Sequence, residues 1–280
     1  MNIDEAGPVL VLGGTGKTGR RVVDRLNARS IPVRVGSRSG QPRFDWDDST
    51  TWAAVLDGVR AAYMPYPDLI VPAATKVTRT FAEQAVEHGV TRIVLLTGRG
   101  EDEAQLAERE VQELDVEVTI VRCAWFMQIF SEDYLLDEIR AGRVTIPADD
   151  TQLDPFIDAD DIADVAVASL TESGHAGQVY ELTSRQLLSF PDAIAEIARA
   201  SGQEIAFEPV SVEDYASRAL QQGVPAGYIN ILKDLFGSIL GNSAYLTDGV
   251  SRSLGRAPRS FSEYVSRTAA AGIWTQEATR

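Results

Sequence analysis

The run Val9-Leu-Val-Leu-Gly13-Gly14-Thr15-Gly16-Lys17-Thr18-Gly19 restricts this chain more than any other feature, because glycines recur at Gly13, Gly16 and Gly19 between a short apolar stretch and an amphipathic one. Each glycine costs backbone entropy that a plain turn would not require three times. Strand, glycine turn and helix in that order make a cradle for phosphate. Gly13 permits the tight turn, Gly16 lets the backbone approach a pyrophosphate, Gly19 lets the helix pack on the strand, and the helix N-terminus attracts the anion. The competing Walker A loop needs a glycine five residues before Gly16, and Val11 stands there. A bound dinucleotide on a Rossmann-type turn is therefore the expectation.

The rest of the chain is consistent with that turn. Strand-like runs at Val9–Leu12, Pro32–Gly36, Arg43–Trp46, Arg60–Met64, Arg92–Leu96 and Val116–Val121 alternate with helical patterns at Lys17–Arg29, Asp48–Leu56, a long stretch ending at Gly89, and Glu101–Leu114. This alternation predicts an α/β fold, a doubly wound parallel sheet with helices on both faces and ligands at the carboxyl ends of its strands. Beyond it the pattern loosens into helices at Phe126–Arg140 and Asp160–Leu170, a strand at Val179–Leu182, helices from Ser189 and Val212, and a Gly/Asn/Ser loop at Gly237–Ser243. Residues 1–150 read as the dinucleotide-binding domain. Residues 151–280 read as a smaller, mostly helical substrate lobe, with some strands returning to the sheet.

A NAD-binding protein usually carries an acid at the end of the second strand to hold the ribose diol. Here the chain reads Val35-Gly36-Ser37-Arg38-Ser39, with no acid, and Ser37 and Arg38 suit a 2′-phosphate. NADP(H) is thus preferred and NAD(H) stays possible. If Arg38 is only a solvated loop charge, the preference is undecided.

Composition narrows the remaining classes. The 280 residues are 44% hydrophobic and carry a formal charge of −15, a globular balance that opposes nucleic acid and anionic membranes. The apolar runs fall far short of the roughly 20 residues of a membrane helix, and the first residues show no secretory signal, so a cytoplasmic protein is expected. Cys123 is the only cysteine, which excludes an internal disulfide and a cysteine-built metal site and suggests a buried structural thiol. Of the two histidines, His88 precedes Gly89 at an expected helix end, where capping explains it. No metal is expected. A two-fold homodimer would suit the fold, since such pairs are the commonest oligomers.

With these residues in hand, the chain resembles the NmrA-like atypical short-chain dehydrogenase/reductases over nearly its whole length. Beyond the glycine turn, the likeness rests on Arg122-Cys-Ala-Trp-Phe126-Met127-Gln128-Ile-Phe, on Ile157-Asp158-Ala-Asp160-Asp161-Ile162-Ala163, and on the segments Leu246–Arg256 and Phe261–Trp274. Cys123 and Ile129 replace the family's usual proline and asparagine. The resemblance implies cofactor contacts from Gly13, Gly14, Thr15, Gly16, Lys17 and Thr18, from Ser37 and Arg38, and from Asp45 and Trp46 beside the adenine. It also implies contacts from Met64 and Pro65 after the fourth strand and from Thr97 and Gly98 after the fifth. Core packing would equally explain Trp46 and Met64, and a satisfied turn carboxylate Asp45. Asp158 and Asp160 read better as helix caps than as chemical groups.

Most short-chain dehydrogenases place a lysine four residues after a tyrosine, which lowers the phenol pKa for proton transfer. Here the positions four after the eight tyrosines hold Pro67, Ile70, Glu138, Ser184, Ala219, Leu232, Gly249 and Thr268. Alcohol oxidation and sugar epimerisation, which need that proton transfer, are therefore disfavoured. An electron-poor acceptor such as a quinone, an iminium ion or a triarylmethane cation takes hydride without prior protonation, and relatives of the resembled family reduce such molecules. Thr97, Tyr66 and Tyr134 are the candidate catalytic residues lining a nicotinamide pocket, with Thr97 the expected hydrogen-bond donor. The alternative is a non-catalytic dinucleotide sensor acting through a protein partner, which the missing pair favours.

Overall fold

The computed structural model describes residues 7–67, 71–133, 135–242 and 244–275. The chain forms two compact units, each assembled from three segments: Met1–Cys123, Ala159–Leu182 and Asp248–Ala257 in the first, Ala124–Asp158, Thr183–Thr247 and Pro258–Arg280 in the second. The boundary read from the sequence at 150 falls inside the second unit, and the chain then returns to the first. The return has a simple cause, since the strand Val179–Leu182 must reach its ladder partner Glu117–Cys123.

Numbered along the chain, the first unit contains β1 (Val9–Leu12), β2 (Val33–Gly36), β3 (Ala61–Pro65), β4 (Arg92–Gly98), β5 (Glu117–Cys123) and β7 (Val179–Leu182). These form one parallel sheet in the order β2-β1-β3-β4-β5-β7. The order reverses between β1 and β3, which sets a crevice at their carboxyl ends. The helices of this unit are α1 (Lys17–Ala28), α2 (Trp52–Leu56), α3 (Pro72–Glu87), α4 (Asp102–Gln112), α6 (Ala159–Thr171) and α10 (Gly249–Leu254). One sheet face buries Leu10, Leu12, Met64, Leu95 and Ile120 with Phe81, Ala82 and Val111 from α3 and α4. α1 is bound to α6 by Arg25, which pairs with Asp160 at 2.8 Å and with Asp164. His88 ends α3 by donating from Nδ1 to the Gln84 carbonyl, as its place before Gly89 suggests.

Three sequence expectations change. Arg43–Trp46 is an irregular loop rather than a strand: Phe44 N–H goes back to Ser37 O, Asp45 N–H goes to Thr51 Oγ1 and Asp45 O receives Trp52 Nε1, leaving no ladder to join. The expected helix Phe126–Arg140 is interrupted, because Phe126 pairs with Ile157 as an extended residue before a 3-10 turn at Met127–Phe130. Only α5 (Leu135–Arg140) is regular helix. The Gly/Asn/Ser loop begins instead as a π-helical turn, Leu235–Ile239, continuing α9 (Ala226–Asp234), while Ser243 lies outside the described residues.

The second unit also holds two strands that the sequence pattern did not reveal, β6 (Arg143–Ile146) and β8 (Ala206–Pro209), paired in parallel. Its remaining helices are α7 (Phe190–Ser201), α8 (Val212–Gln221) and α11 (Phe261–Ala270), the last opened by a capping box of Ser260 and Glu263. Phe130, Phe156, Phe190 and Phe261 pack edge-on or tilted, with centroids 5.1–6.0 Å apart. Trp274 joins this core and donates its indole N–H to Phe130 O at 2.7 Å. No helix among the described residues is long and apolar enough to cross a membrane.

Candidate functional site

The glycine turn lies at the switch point of the sheet. Gly13 has φ +59°, a left-handed conformation that disfavours side chains, and Gly16 N–H closes the turn on Gly13 O at 2.8 Å. A Cβ on Gly19 would collide with the Gly13 carbonyl, and one on Gly14 would reach 2.8 Å from Val35. Glycine at these positions thus lets α1 approach the turn. α1 starts at Gly16 with no side-chain cap and no acid in its first turn, so its first amides and positive dipole end suit an anion. Gly13 and Gly16 are exposed, as is Thr15, while Lys17 is half-buried and Thr18 nearly buried. The cradle fits a pyrophosphate.

Gly13 N–H donates to Gly36 O at 2.9 Å, which fastens the end of β2 beside the turn. Two residues on, Arg38 is exposed at a tight loop whose Ser37 carbonyl receives both Gly40 N–H and Phe44 N–H. Among the described residues Arg38 makes no ion pair, whereas neighbouring Arg43 pairs with Asp45 at 2.6 Å. Asp45 is further engaged by Asp47 N–H at 3.2 Å, the behaviour of a turn carboxylate. Trp46 is half-buried, its ring centroid 5.0 Å from those of Phe44 and Tyr66 and 5.1 Å from Phe81. Met64 is wholly buried in the core.

The carboxyl ends of β4, β5 and β7 present two different surfaces. Thr97, Arg122 and Glu181 stand in register across the three strands and so share one face. There Thr97 Oγ1 donates to Glu108 Oε1 at 2.6 Å, Arg122 makes a two-pronged pair with Glu108, and Arg99 Nε reaches Glu181 at 2.5 Å. Thr97 and Glu108 are both almost fully buried. The expected role of Thr97 as a donor is therefore corrected: its single hydroxyl proton is already committed to Glu108, and the oxygen has only lone pairs to offer.

On the other face lie Pro65, Leu96 and Gly98, all partly exposed. Pro65 is beside Gly13, whose Cβ position is 3.5 Å from Pro65 Cγ, and is in register with Leu96. Gly98 follows two residues later, in register with Cys123. The Glu101 carboxylate folds over Gly98, where a Cβ would collide with it. Burial, and then the Glu101 charge, push the Cys123 thiol well up, so it stays protonated as an inert buried group. Tyr66 is half-buried against Ala74, Ala104 and Ala107 as well as Trp46. Tyr134 lies outside the described residues.

Sequence reasoning missed Glu101, Glu108 and Glu181. Glu108 had a visible signal, since it shares the i, i+3, i+4, i+7 stripe of buried Ala104, Ala107 and Val111 on α4. A charge on an apolar stripe requires a buried partner. Asp158, read as a cap, receives Gln128 Nε2 at 2.9 Å and Arg267 at 2.8 Å, while Asp160 pairs with Arg21 and Arg25. Among the described residues no group of three or more His, Cys, Asp or Glu side chains is placed to hold a metal.

Comparison with known proteins extends these observations. No family model matches the chain. Festuclavine synthase I of Penicillium roqueforti is 30% identical over 244 residues, covering 79% of this chain and 83% of that protein. Prestalk A differentiation protein A of Dictyostelium discoideum is 29% identical over 279 residues, covering 93% and 92%. Among solved structures, an NADPH-dependent quinone oxidoreductase from Escherichia coli in complex with NADPH superposes with a TM-score of 0.76 at 21% identity, covering 92% of this chain and 99% of that one. The glycine turn, the sheet order and these relatives agree, and the chain belongs to the NmrA-like atypical short-chain dehydrogenase/reductases, a family of NAD(P)-binding oxidoreductases.

Proposed function

We propose that this protein is an NADPH-dependent reductase of an electron-poor small molecule, a quinone, an iminium ion or a related conjugated acceptor. The observation that carries the cofactor preference is Arg38, exposed and without an ion pair among the described residues, on the loop that Gly13 fastens beside the phosphate cradle. A guanidinium there suits a 2′-phosphate, and no acid occupies the place that holds a free ribose diol. The relatives' names point to the same chemistry, one being a clavine synthase and the other an NADPH-dependent quinone oxidoreductase.

In this reading NADPH supplies the hydride. Gly13, Gly14, Thr15, Gly16, Lys17 and Thr18 bind its pyrophosphate, Ser37 and Arg38 the 2′-phosphate, and Asp45 and Trp46 flank the adenine. Met64 supports that side from within the core, and Pro65, Thr97 and Gly98 frame the reacting end. Thr97 supports that end from the buried face, its hydroxyl held by Glu108. Tyr66 stands against Trp46 on the adenine side. Orientation and exclusion of water, rather than acid catalysis, are the protein's contribution.

The test follows NADPH and NADH oxidation by purified protein with quinones, cyclic iminium ions and triarylmethane dyes, in the wild type and in Arg38→Glu. Saturable oxidation of NADPH by one acceptor class is expected, with at least about tenfold weaker NADPH binding in the variant and little change for NADH. Unchanged NADPH affinity removes Arg38 from the site. Tight NADPH binding with no turnover of any acceptor favours the second reading, a redox sensor, which the absent Tyr-Lys pair and a relative named for differentiation support.

A further inference from the structure

Resting on the pyrophosphate contacts of that reading, we propose that Tyr63 is a positioning residue for the bound dinucleotide: its buried hydroxyl, beneath the glycine turn, donates to Thr18 and turns the Thr18 hydroxyl proton toward the pyrophosphate. The place of Tyr63 follows from strand register. Val11 and Tyr63 are directly paired between β1 and β3, while Leu10, Leu12 and Met64 enter the core on the opposite face. Tyr63 therefore shares its face with Pro65, which is two residues further along β3 and beside Gly13. The helix α1 starts from the same turn, and Thr18 in its first turn is one of the residues it buries.

Tyr63 is wholly buried, yet among the described residues its hydroxyl makes no hydrogen bond of ordinary geometry. A buried hydroxyl without a partner is destabilising, so its presence needs a reason outside the packing. Thr78 and Ser169, also unpartnered, belong to the helices α3 and α6, and Tyr264 to the second unit, whereas Tyr63 is on a strand that ends at the turn. Burial pushes the Tyr63 phenol well above its ordinary pKa, and the Thr18 hydroxyl is the neighbour that opposes the rise. The phenol thus keeps its proton and is a standing donor beside Thr18. A threonine hydroxyl has one proton and two lone pairs, so Thr18 can receive from Tyr63 and give to a phosphate oxygen at once, each bond polarising the other. The first amides of α1 and its positive dipole end act on the same anion. Phenylalanine would fill the same space without the unpartnered oxygen, so the fold alone gives no reason for it.

Tyr63→Phe removes the oxygen and keeps the ring. The experiment measures dissociation constants of NADP+ and of ADP-ribose, which carries the pyrophosphate without nicotinamide or 2′-phosphate. It also measures the ligand-free urea midpoint, in the wild type, Tyr63→Phe, Thr18→Val and the double variant. The expected result for Tyr63→Phe is about fivefold weaker binding of both ligands, with a ligand-free midpoint unchanged or raised. Because Tyr63 acts through Thr18, the double variant is expected to bind within about twofold of Thr18→Val alone. Unchanged ADP-ribose affinity in Tyr63→Phe, additive losses in the double variant, or a lowered ligand-free midpoint overturns the proposal. So does a Tyr63→Phe chain that does not fold, since the hydroxyl would then serve the fold, and so does a wild type that does not bind ADP-ribose. If the wild type binds ADP-ribose through this pair but oxidises NADPH with no acceptor, the inference stands and the reductase reading fails. If it turns over an acceptor while Tyr63→Phe binds both ligands unchanged, the reductase reading stands and the inference fails.

Discussion

At the carboxyl ends of β4 and β5, adjacent residues of one strand meet opposite surroundings. Thr97 and Arg122 enter a nearly dry network closed by Glu108, Glu181 and Arg99, in which each charge has a counter-charge. One residue further, Gly98 faces a floor that is partly open and carries the Glu101 carboxylate. The closed face fixes where the strands end, and the open face leaves room for a ligand. Ion pairing on one side of the sheet therefore holds the backbone whose other side stays partly exposed.

The comparison predicts a graded series of effects. Glu108→Ala leaves Arg122 in a largely buried site without its two-pronged partner, and a loss of about 3–5 kcal/mol in urea-unfolding free energy is expected; a loss below about 1 kcal/mol would show that water reaches this face too. Thr97→Val removes one hydrogen bond to an ion while Arg122 still pairs with Glu108, so about 2 kcal/mol is expected, measured in the same way. Gly98→Ala places a methyl group against the far end of a flexible side chain, which has room to move. Its stability change, read by urea unfolding, is expected within about 1 kcal/mol because Glu101 can turn aside. A loss above about 2 kcal/mol would show that this face is as tightly packed as the other.

The glycine turn was legible in the sequence because each glycine answers a local requirement, a positive φ at Gly13 and close backbone approach at Gly19. Strand alternation was legible for the same reason, and β1, β2 and β4 fall where the apolar runs place them. Arg43–Trp46 was misread because its strand-like pattern is an aromatic cluster around Phe44 and Trp46, whose backbone bonds go to Ser37, Thr51 and Trp52. β6 and β8 escaped because Arg143–Ile146 and Ala206–Pro209 are short and lie more than fifty positions apart, so neither run carries a signal until they pair.

The sequence by itself determined the class of fold, the glycine turn and the lack of a lysine four residues after any tyrosine, since these depend on residues close together in the chain. The tertiary structure alone decided what Thr97 and Glu101 touch. Whether a threonine hydroxyl is already engaged depends on a partner eleven residues away on a helix, and whether a carboxylate lies over a partly exposed strand end depends on strand parity and on which face the helices cover. Such roles are set by register and burial, which arise only when the strands are side by side.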